Sequence, residues 1–169
     1  MSFHGLNVSS GEHYCPGWVN FDLLPQTHLD LRADLFALPF PDETFAKVYA
    51  GHTLEHIAWG DIPNALVELR RVMTPDGELM VVGPDIERAL LTNQPQWLLN
   101  AILVDGPESG PGGHKWTATG LLTLLATCRV FPGAYEVPIE TVTRPAWPNP
   151  SLASWQCAVL ATDLGHNGA

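Results

Sequence analysis

Asp61-Ile62-Pro63-Asn64-Ala65-Leu66-Val67-Glu68-Leu69-Arg70-Arg71-Val72-Met73-Thr74-Pro75-Asp76-Gly77-Glu78-Leu79-Met80-Val81-Val82 is the stretch on which the reading of this chain turns. Ile62, Ala65, Leu66, Leu69, Val72 and Met73 recur at spacings of three and four, so one apolar stripe runs along a helix from about Asp61 to Met73. Glu68, Arg70 and Arg71 fall elsewhere on the wheel. Asp61 stands where a side chain can cap the free N–H groups and Pro63 suits the first turn, while Thr74-Pro75-Asp76-Gly77 stops the helix and reverses the chain. Leu79 to Val82 then reads as a strand buried on both faces, closed by Gly83-Pro84.

A helix feeding a wholly apolar strand is the unit of a parallel sheet, and the flanking sequence repeats the theme. Before it come short apolar runs at Gly5 to Val8, Trp18 to Phe21 and Phe45 to Ala50. The first ends at Ser9-Ser10-Gly11, the second at Asp22, and the third follows the turn-rich Leu38-Pro39-Phe40-Pro41-Asp42-Glu43. After it, Asp85 opens a helical stretch through Leu91, and Gln96 to Val104 predicts another. Asp105 to Gly113, with four Gly and two Pro, fits neither regular state and reads as a mobile loop or lid. Thr117 or Thr119 can cap a helix through Thr127. Tyr135 to Thr143 and Ser154 to Thr162 predict two strands joined by the Pro-rich link Pro145 to Pro150, and His166 to Ala169 should fray.

Bulk properties narrow the partners. A chain of 169 residues that is 46% hydrophobic fits one domain, residues 1–169, with a sizeable core. Eight basic against eighteen acidic residues give a formal charge of −10, and the basic ones, among them Lys47, Arg70, Arg71, Arg88, Lys115, Arg129 and Arg144, are scattered. That balance disfavours nucleic acid and anionic membrane surfaces and leaves a small-molecule partner. Cys15, Cys128 and Cys157 are odd in number with no C-x-x-C pair, which points to reduced thiols and a cytoplasmic location. No window reaches the apolar length of a membrane span.

The ordered series of local pieces resembles the class I S-adenosylmethionine-dependent methyltransferases, particularly a subgroup with a short first loop followed by Pro-Gly-Trp. The pieces are Leu6-Asn7-Val8-Ser9-Ser10-Gly11, Pro16-Gly17-Trp18-Val19-Asn20-Phe21-Asp22, Leu38-Pro39-Phe40-Pro41-Asp42-Glu43-Thr44-Phe45, Leu54-Glu55-His56, Glu68 to Gly77, and His114-Lys115-Trp116. They run collinearly from Leu6 to about Leu125. The resemblance implies an α/β, Rossmann-like sheet, mostly parallel, with an antiparallel C-terminal hairpin, and S-adenosyl-L-methionine as cofactor. It also implies methyl transfer to a small-molecule oxygen or nitrogen.

In such sheets ligands sit beyond the carboxyl ends of the strands, where strand order reverses. The resemblance places Ser9, Ser10 and Gly11 around the methionine and ribose end of the cofactor, and Asp22 with Leu23 at the ribose hydroxyls. Asp34 would meet the adenine amino group while Leu35 packs on the ring, with Asp30 as the rival acid in the same segment. Gly51 and His52 would line the pocket near the transferred methyl group. His52 and His114 are the two candidate bases, since an imidazole titrates near neutral pH.

Two other readings compete. His52-Thr53-Leu54-Glu55-His56 spells the inverted zinc-peptidase signature, which needs both histidines on one helix and a third ligand; a zinc hydrolase is therefore the distant alternative, and no metal site is expected. The nearer alternative is a non-catalytic binding or regulatory module that keeps the fold. Its support is the crossover between Val8 and Val19, about ten residues, where a helical crossover needs roughly a dozen or more. The first helix should be vestigial, and the segment from Asp22 to Asp34 is too short for a full second one. Helices so truncated would leave one face of the sheet thinly covered and suggest a homodimer.

Overall fold

A computed structural model describes residues 4–92, 116–143, 146–148, 153 and 156–163. Seven strands form one sheet: β1 (Leu6–Val8), β2 (Val19–Asp22), β3 (Leu31–Arg32), β4 (Phe45–Gly51), β5 (Met73–Pro84), β6 (Gly133–Val137) and β7 (Gln156–Thr162). Their order is β3-β2-β1-β4-β5-β7-β6, with β7 antiparallel to both neighbours and the pairs from β3 to β5 parallel. The helices are α1 (Ile62–Val72), α2 (Ile86–Leu91) and α3 (Ala118–Cys128). This is the expected architecture, down to the antiparallel hairpin. Strand order reverses between β1 and β4, the two-residue β3 went unread because it is too short to show a period, and β6 stops earlier than Thr143. Pro138 ends that strand because it has no N–H for the ladder, and a 3-10 turn at Ile139–Thr141 follows. The predicted helix at 96–104, the Gly-rich loop at 105–113 and His114 lie outside the described residues, as does the C-terminal tail. Among the described residues no helix is long and apolar enough to cross a membrane.

Helix α1 buries the predicted stripe from Ile62 through Ala65, Leu66 and Leu69 to Val72 in the main core beside β5. Its start corrects the sequence reading: Asp61 makes no capping hydrogen bond. A 3-10 turn at Trp59–Asp61 leads the chain in, with the Asp61 N–H donated to the Ala58 carbonyl instead. Its end is also different in detail. Met73 is already in β5, and Thr74 to Gly77 form a bulge between the register pairs Phe45–Met73 and Lys47–Glu78. Pro75 is tolerated there because a bulge leaves its missing N–H unneeded. Gly77 is required because a Cβ would come within 2.9 Å of the Thr74 carbonyl oxygen.

On α1, Glu68 and Arg71 clamp the Leu38–Asp42 turn. Glu68 Oε1 accepts the Leu38 N–H at 2.7 Å, and Arg71 donates to Glu68, to the Leu38 and Phe40 carbonyls and to Asp42. The hydrogen bonds from Arg71 hold the Glu68 carboxyl below its ordinary range, helped by the Leu38 N–H and opposed by burial. A carboxyl depressed in the folded state stabilises above its unfolded pKa, and that contribution is lost as pH falls through the folded value. Glu68→Gln should therefore cost about 1–2 kcal/mol at pH 7 in urea denaturation, with wild type and variant converging below about pH 4.

Among the described residues, none between β1 and β2 or between β2 and β3 is α-helical, as the short spacings predict. The β1–β2 crossover is instead a series of turns stitched by one buried side chain. Asn20 on β2 is fully buried; its Oδ1 accepts from Cys15 N–H at 2.8 Å and from the Asn7 amide at 2.9 Å. Its Nδ2 donates to the Cys15 and Trp18 carbonyls and to Asp30. These bonds satisfy backbone groups that a helix would have paired internally. Asn20→Leu strands at least three of them, and a loss of at least about 3 kcal/mol is expected in equilibrium unfolding. A cost under 1 kcal/mol would contradict this account.

The face expected to be thinly covered is not bare. Trp18, from the crossover, and Trp147, from the β6–β7 connection, pack with ring centroids 6.1 Å apart, and Lys47 Nζ lies 4.5 Å from the Trp147 ring centre. With Val142 they bury Tyr49, Met80, Val82 and Leu160 of the sheet. The chain's own link thus takes the place of the missing helices, and the dimer expectation loses the exposed face that suggested it. None of the three cysteines is in a disulfide, and burial pushes the Cys157 thiol up to about 12.

Candidate functional site

The loops that follow β1, β2, β3 and β4 converge at the carboxyl edge of the sheet around a cavity of about 240 Å³. Its walls come from Ser9 after β1, Phe21 and Leu23 of β2 and its exit, Ala33 to Phe36 after β3, and Thr53, His56, Ile57, Ala58 and Asp61 after β4. This is the strand-order switch point, where the divergence of neighbouring loops opens a crevice in any sheet of this kind. Four of the residues singled out from sequence meet there: Ser9, Leu23, Asp34 and Leu35.

Each is placed by local chemistry. Ser9 takes a left-handed backbone at φ 48°, which turns the chain sharply out of β1. Asp34 Oδ1 accepts the Phe36 N–H at 3.0 Å in an Asx turn, and its second oxygen has no protein partner among the described residues. Leu35 is buried beneath it, whereas Leu23 and Phe36 stay half exposed at the rim. The rival acid, Asp30, is committed elsewhere: its Oδ2 accepts both the backbone N–H and the side-chain amide of Asn20 at 2.8 Å.

Other expected residues stand outside the cavity wall. Ser10 is buried, its hydroxyl without a hydrogen-bond partner among the described residues. Asp22 uses one oxygen to accept the Gly11 N–H and the other to accept the Leu24 N–H, both at 2.9 Å, so it braces the first loop. At Gly51 the missing side chain makes room for a neighbour, because a Cβ there would meet the Tyr49 ring and hydroxyl at 2.5 Å. His52, at φ 52°, directs its ring to Glu55 and Gln156: Nδ1 lies 2.9 Å from Glu55 Oε1, and Nε2 2.6 Å from Gln156 Nε2.

The zinc-peptidase pattern does not take shape. His52 follows the last residue of β4 and His56 closes a 3-10 turn at Leu54–His56, so the two do not share the face of one helix. Among the described residues no group of three or more His, Cys, Asp or Glu side chains could hold a metal. His56 lines the cavity with Thr53 and Ile57. The position of these residues just beyond β4 was the signal for them; their turn geometry decided which ones face inward.

Comparison with known proteins gives a consistent picture. Residues 19–81 match a methyltransferase domain family. Malonyl-[acyl-carrier protein] O-methyltransferase of Halorhodospira halophila is 45% identical over 56 residues, 31% of this chain and 18% of that protein. The 2-phytyl-1,4-naphtoquinone methyltransferase of Synechocystis is 33% identical over 90 residues, 53% of this chain and 34% of that protein. The chain thus spans about a third or less of these curated relatives. An S-adenosylmethionine-dependent methyltransferase from Thermotoga maritima shares the fold with a TM-score of 0.61 at 15% identity, over 95% of this chain and 82% of that one. One from Archaeoglobus fulgidus gives 0.61 at 12% identity, over 95% and 87%.

Proposed function

This chain carries the class I S-adenosylmethionine-dependent methyltransferase fold, its methyltransferase domain recognisable over residues 19–81, and on that premise we propose that it methylates an oxygen or nitrogen of a small molecule. The observation that carries the reading is the cavity at the sheet's carboxyl edge, which gathers Ser9, Leu23, Asp34 and Leu35 from three separate loops. The cofactor of this family is S-adenosyl-L-methionine, which supplies a methyl group already activated on a sulfonium. Positioning and exclusion of water therefore do most of what the protein must do.

The residues present fit the adenosine end of that cofactor. Asp34 has a carboxylate oxygen free to accept from an amino group, and Leu35, Phe36 and Ile57 offer apolar walls for a flat ring. The unpartnered Ser10 hydroxyl and the open space around Gly11 suit a polar group near the first loop. At about 240 Å³ the cavity falls just below the usual range of roughly 300–1,000 Å³ for ligand pockets. The ribose role of Asp22 requires it to accept from the ligand besides, or in place of, the Gly11 N–H. His52, at the end of β4, is the base we assign among the described residues. An oxygen acceptor accords with the name of the Halorhodospira relative, and the acidic chain accords with no nucleic-acid partner.

The Gly11–Asp22 contact favours one other reading, a non-catalytic regulatory module that keeps the fold without holding the cofactor, because it occupies the carboxylate the ribose would use. Calorimetric titration with S-adenosylmethionine and S-adenosylhomocysteine separates the cases. We expect saturable binding of both, weakened about tenfold or more in Asp34→Ala and lost or strongly reduced in Asp22→Ala. Absence of heat at millimolar ligand would overturn the methyltransferase reading. Unchanged affinity in Asp22→Ala would remove its ribose role and favour the brace alone.

A further inference from the structure

A second cavity, of about 590 Å³, lies between the end of α3 and the start of β6 and shares no lining residue with the first. Gly133 of β6 pairs with Thr162 of β7, and Thr162 with Glu78 of β5, so this groove stands at the amino edge of the sheet. Helix α3, about 16 Å long at the usual rise per residue, separates it from the carboxyl edge, where the Ala118 N–H is donated to Asp85. Phe131 is buried, Leu122 and Ala134 are half-buried, and Thr123, Ala126 and Pro132 stay exposed around the opening.

The remaining lining residue, Arg129, supplies the groove's only charge. Its guanidinium meets neither a hydrogen-bond acceptor nor a carboxylate among the described residues, whereas Lys47, Arg70, Arg71 and Arg88 each face an acid. Asp163, which follows β7 at the same end of the sheet, is held by Arg70. Thr123 turns its hydroxyl proton to the Thr119 carbonyl at 2.8 Å, so the unused side-chain donors of the lining all belong to Arg129. Folding does not call for an arginine here. Arg129 caps α3 in the left-handed conformation, at φ 54°, where glycine or asparagine costs less. A cation near a helix end does favour the helix, but a lysine serves that purpose equally.

We propose that this groove binds a small apolar carboxylate, its body against Leu122, Phe131 and Ala134 and its head group on Arg129. The volume falls within the usual range of ligand pockets, roughly 300–1,000 Å³. A planar guanidinium matches a carboxylate with two parallel hydrogen bonds, and next to apolar walls that pairing is stronger than in open water. An amine of the same shape meets the wrong charge and finds no acid in the lining. A neutral alcohol keeps the apolar contacts but leaves out the charge-assisted pair. The occupant touches none of the residues around the cofactor cavity, so the two ligands bind without competing. The assignment therefore stands apart from the methyltransferase reading.

The test is amide NMR of the ¹⁵N-labelled full chain, titrated separately with octanoate, octan-1-ol and octylammonium. Octanoate should shift the amides of Leu122, Thr123, Ala126 and Phe131 saturably, and the other two probes should bind at least about tenfold more weakly. Arg129→Gln and Arg129→Gly should each weaken octanoate by about tenfold or more, while Arg129→Gly is at least as stable as wild type in urea because it relieves the left-handed backbone. Saturating S-adenosylhomocysteine should leave the octanoate titration unchanged. Equal binding of the three probes, shifts that never saturate, or undiminished octanoate affinity in Arg129→Gln would overturn the proposal. Loss of stability in Arg129→Gln with octanoate affinity intact would assign the arginine to the helix end alone. The comparison of probes on the wild type decides the matter even if a variant folds poorly.

Discussion

The rest of the structure depends on the hydrogen bonds of one buried amide, that of Asn20. Two adjacent parallel strands ordinarily need a helix between them, because the crossing chain must satisfy its own backbone while it covers the sheet. Here the crossing segment is too short to do so. Asn20 answers for it by offering both ends of its side chain to Cys15, Trp18 and Asn7, and by drawing Asp30 in behind. An Asn buried in a central strand would be unfavourable without this full set of partners. With it, the crossover becomes a compact turn series that leaves Trp18 on the sheet.

The same economy shapes the site. Because the first loop is pinned by Asn20 at its far end and by Asp22 at Gly11, Ser9 emerges from β1 in a fixed direction and the cavity opens toward β3 and β4. On the other side of β4, Asp85 serves a comparable purpose. Its carboxylate accepts from Arg88 N–H at the start of α2 and from Ala118 N–H at the start of α3, so one buried acid caps two helices. The His52, Glu55 and Gln156 cluster lies near that same edge, at the entry to β7. Its order comes from strands and turns rather than from a long loop.

Local pattern alone determined a good deal. The stripe from Ile62 to Val72 specified α1 because only a helical period buries those five residues together, and the apolar run at Leu79 to Val82 specified a strand covered on both faces. Short spacings around Asp22 ruled out the first helices by chain length. Asp85 and Thr117 announced helix starts that the structure keeps, each accepting a backbone N–H three residues on.

What only the tertiary structure decided are the matters that depend on residues far apart in sequence. Asp34 and Asp30 are equivalent on paper; Asn20 claims one and leaves the other at the cavity. No local signal tells that Trp147 would cross back to Trp18 and close the exposed face, or that Thr74 to Gly77 would be absorbed as a bulge once Met73 paired with Phe45. Least visible of all was Gln156, 104 residues from His52. A sequence can state that a histidine follows a strand, but which side chains its ring meets depends on which neighbours the sheet brings against it, and those are set by packing rather than by local pattern.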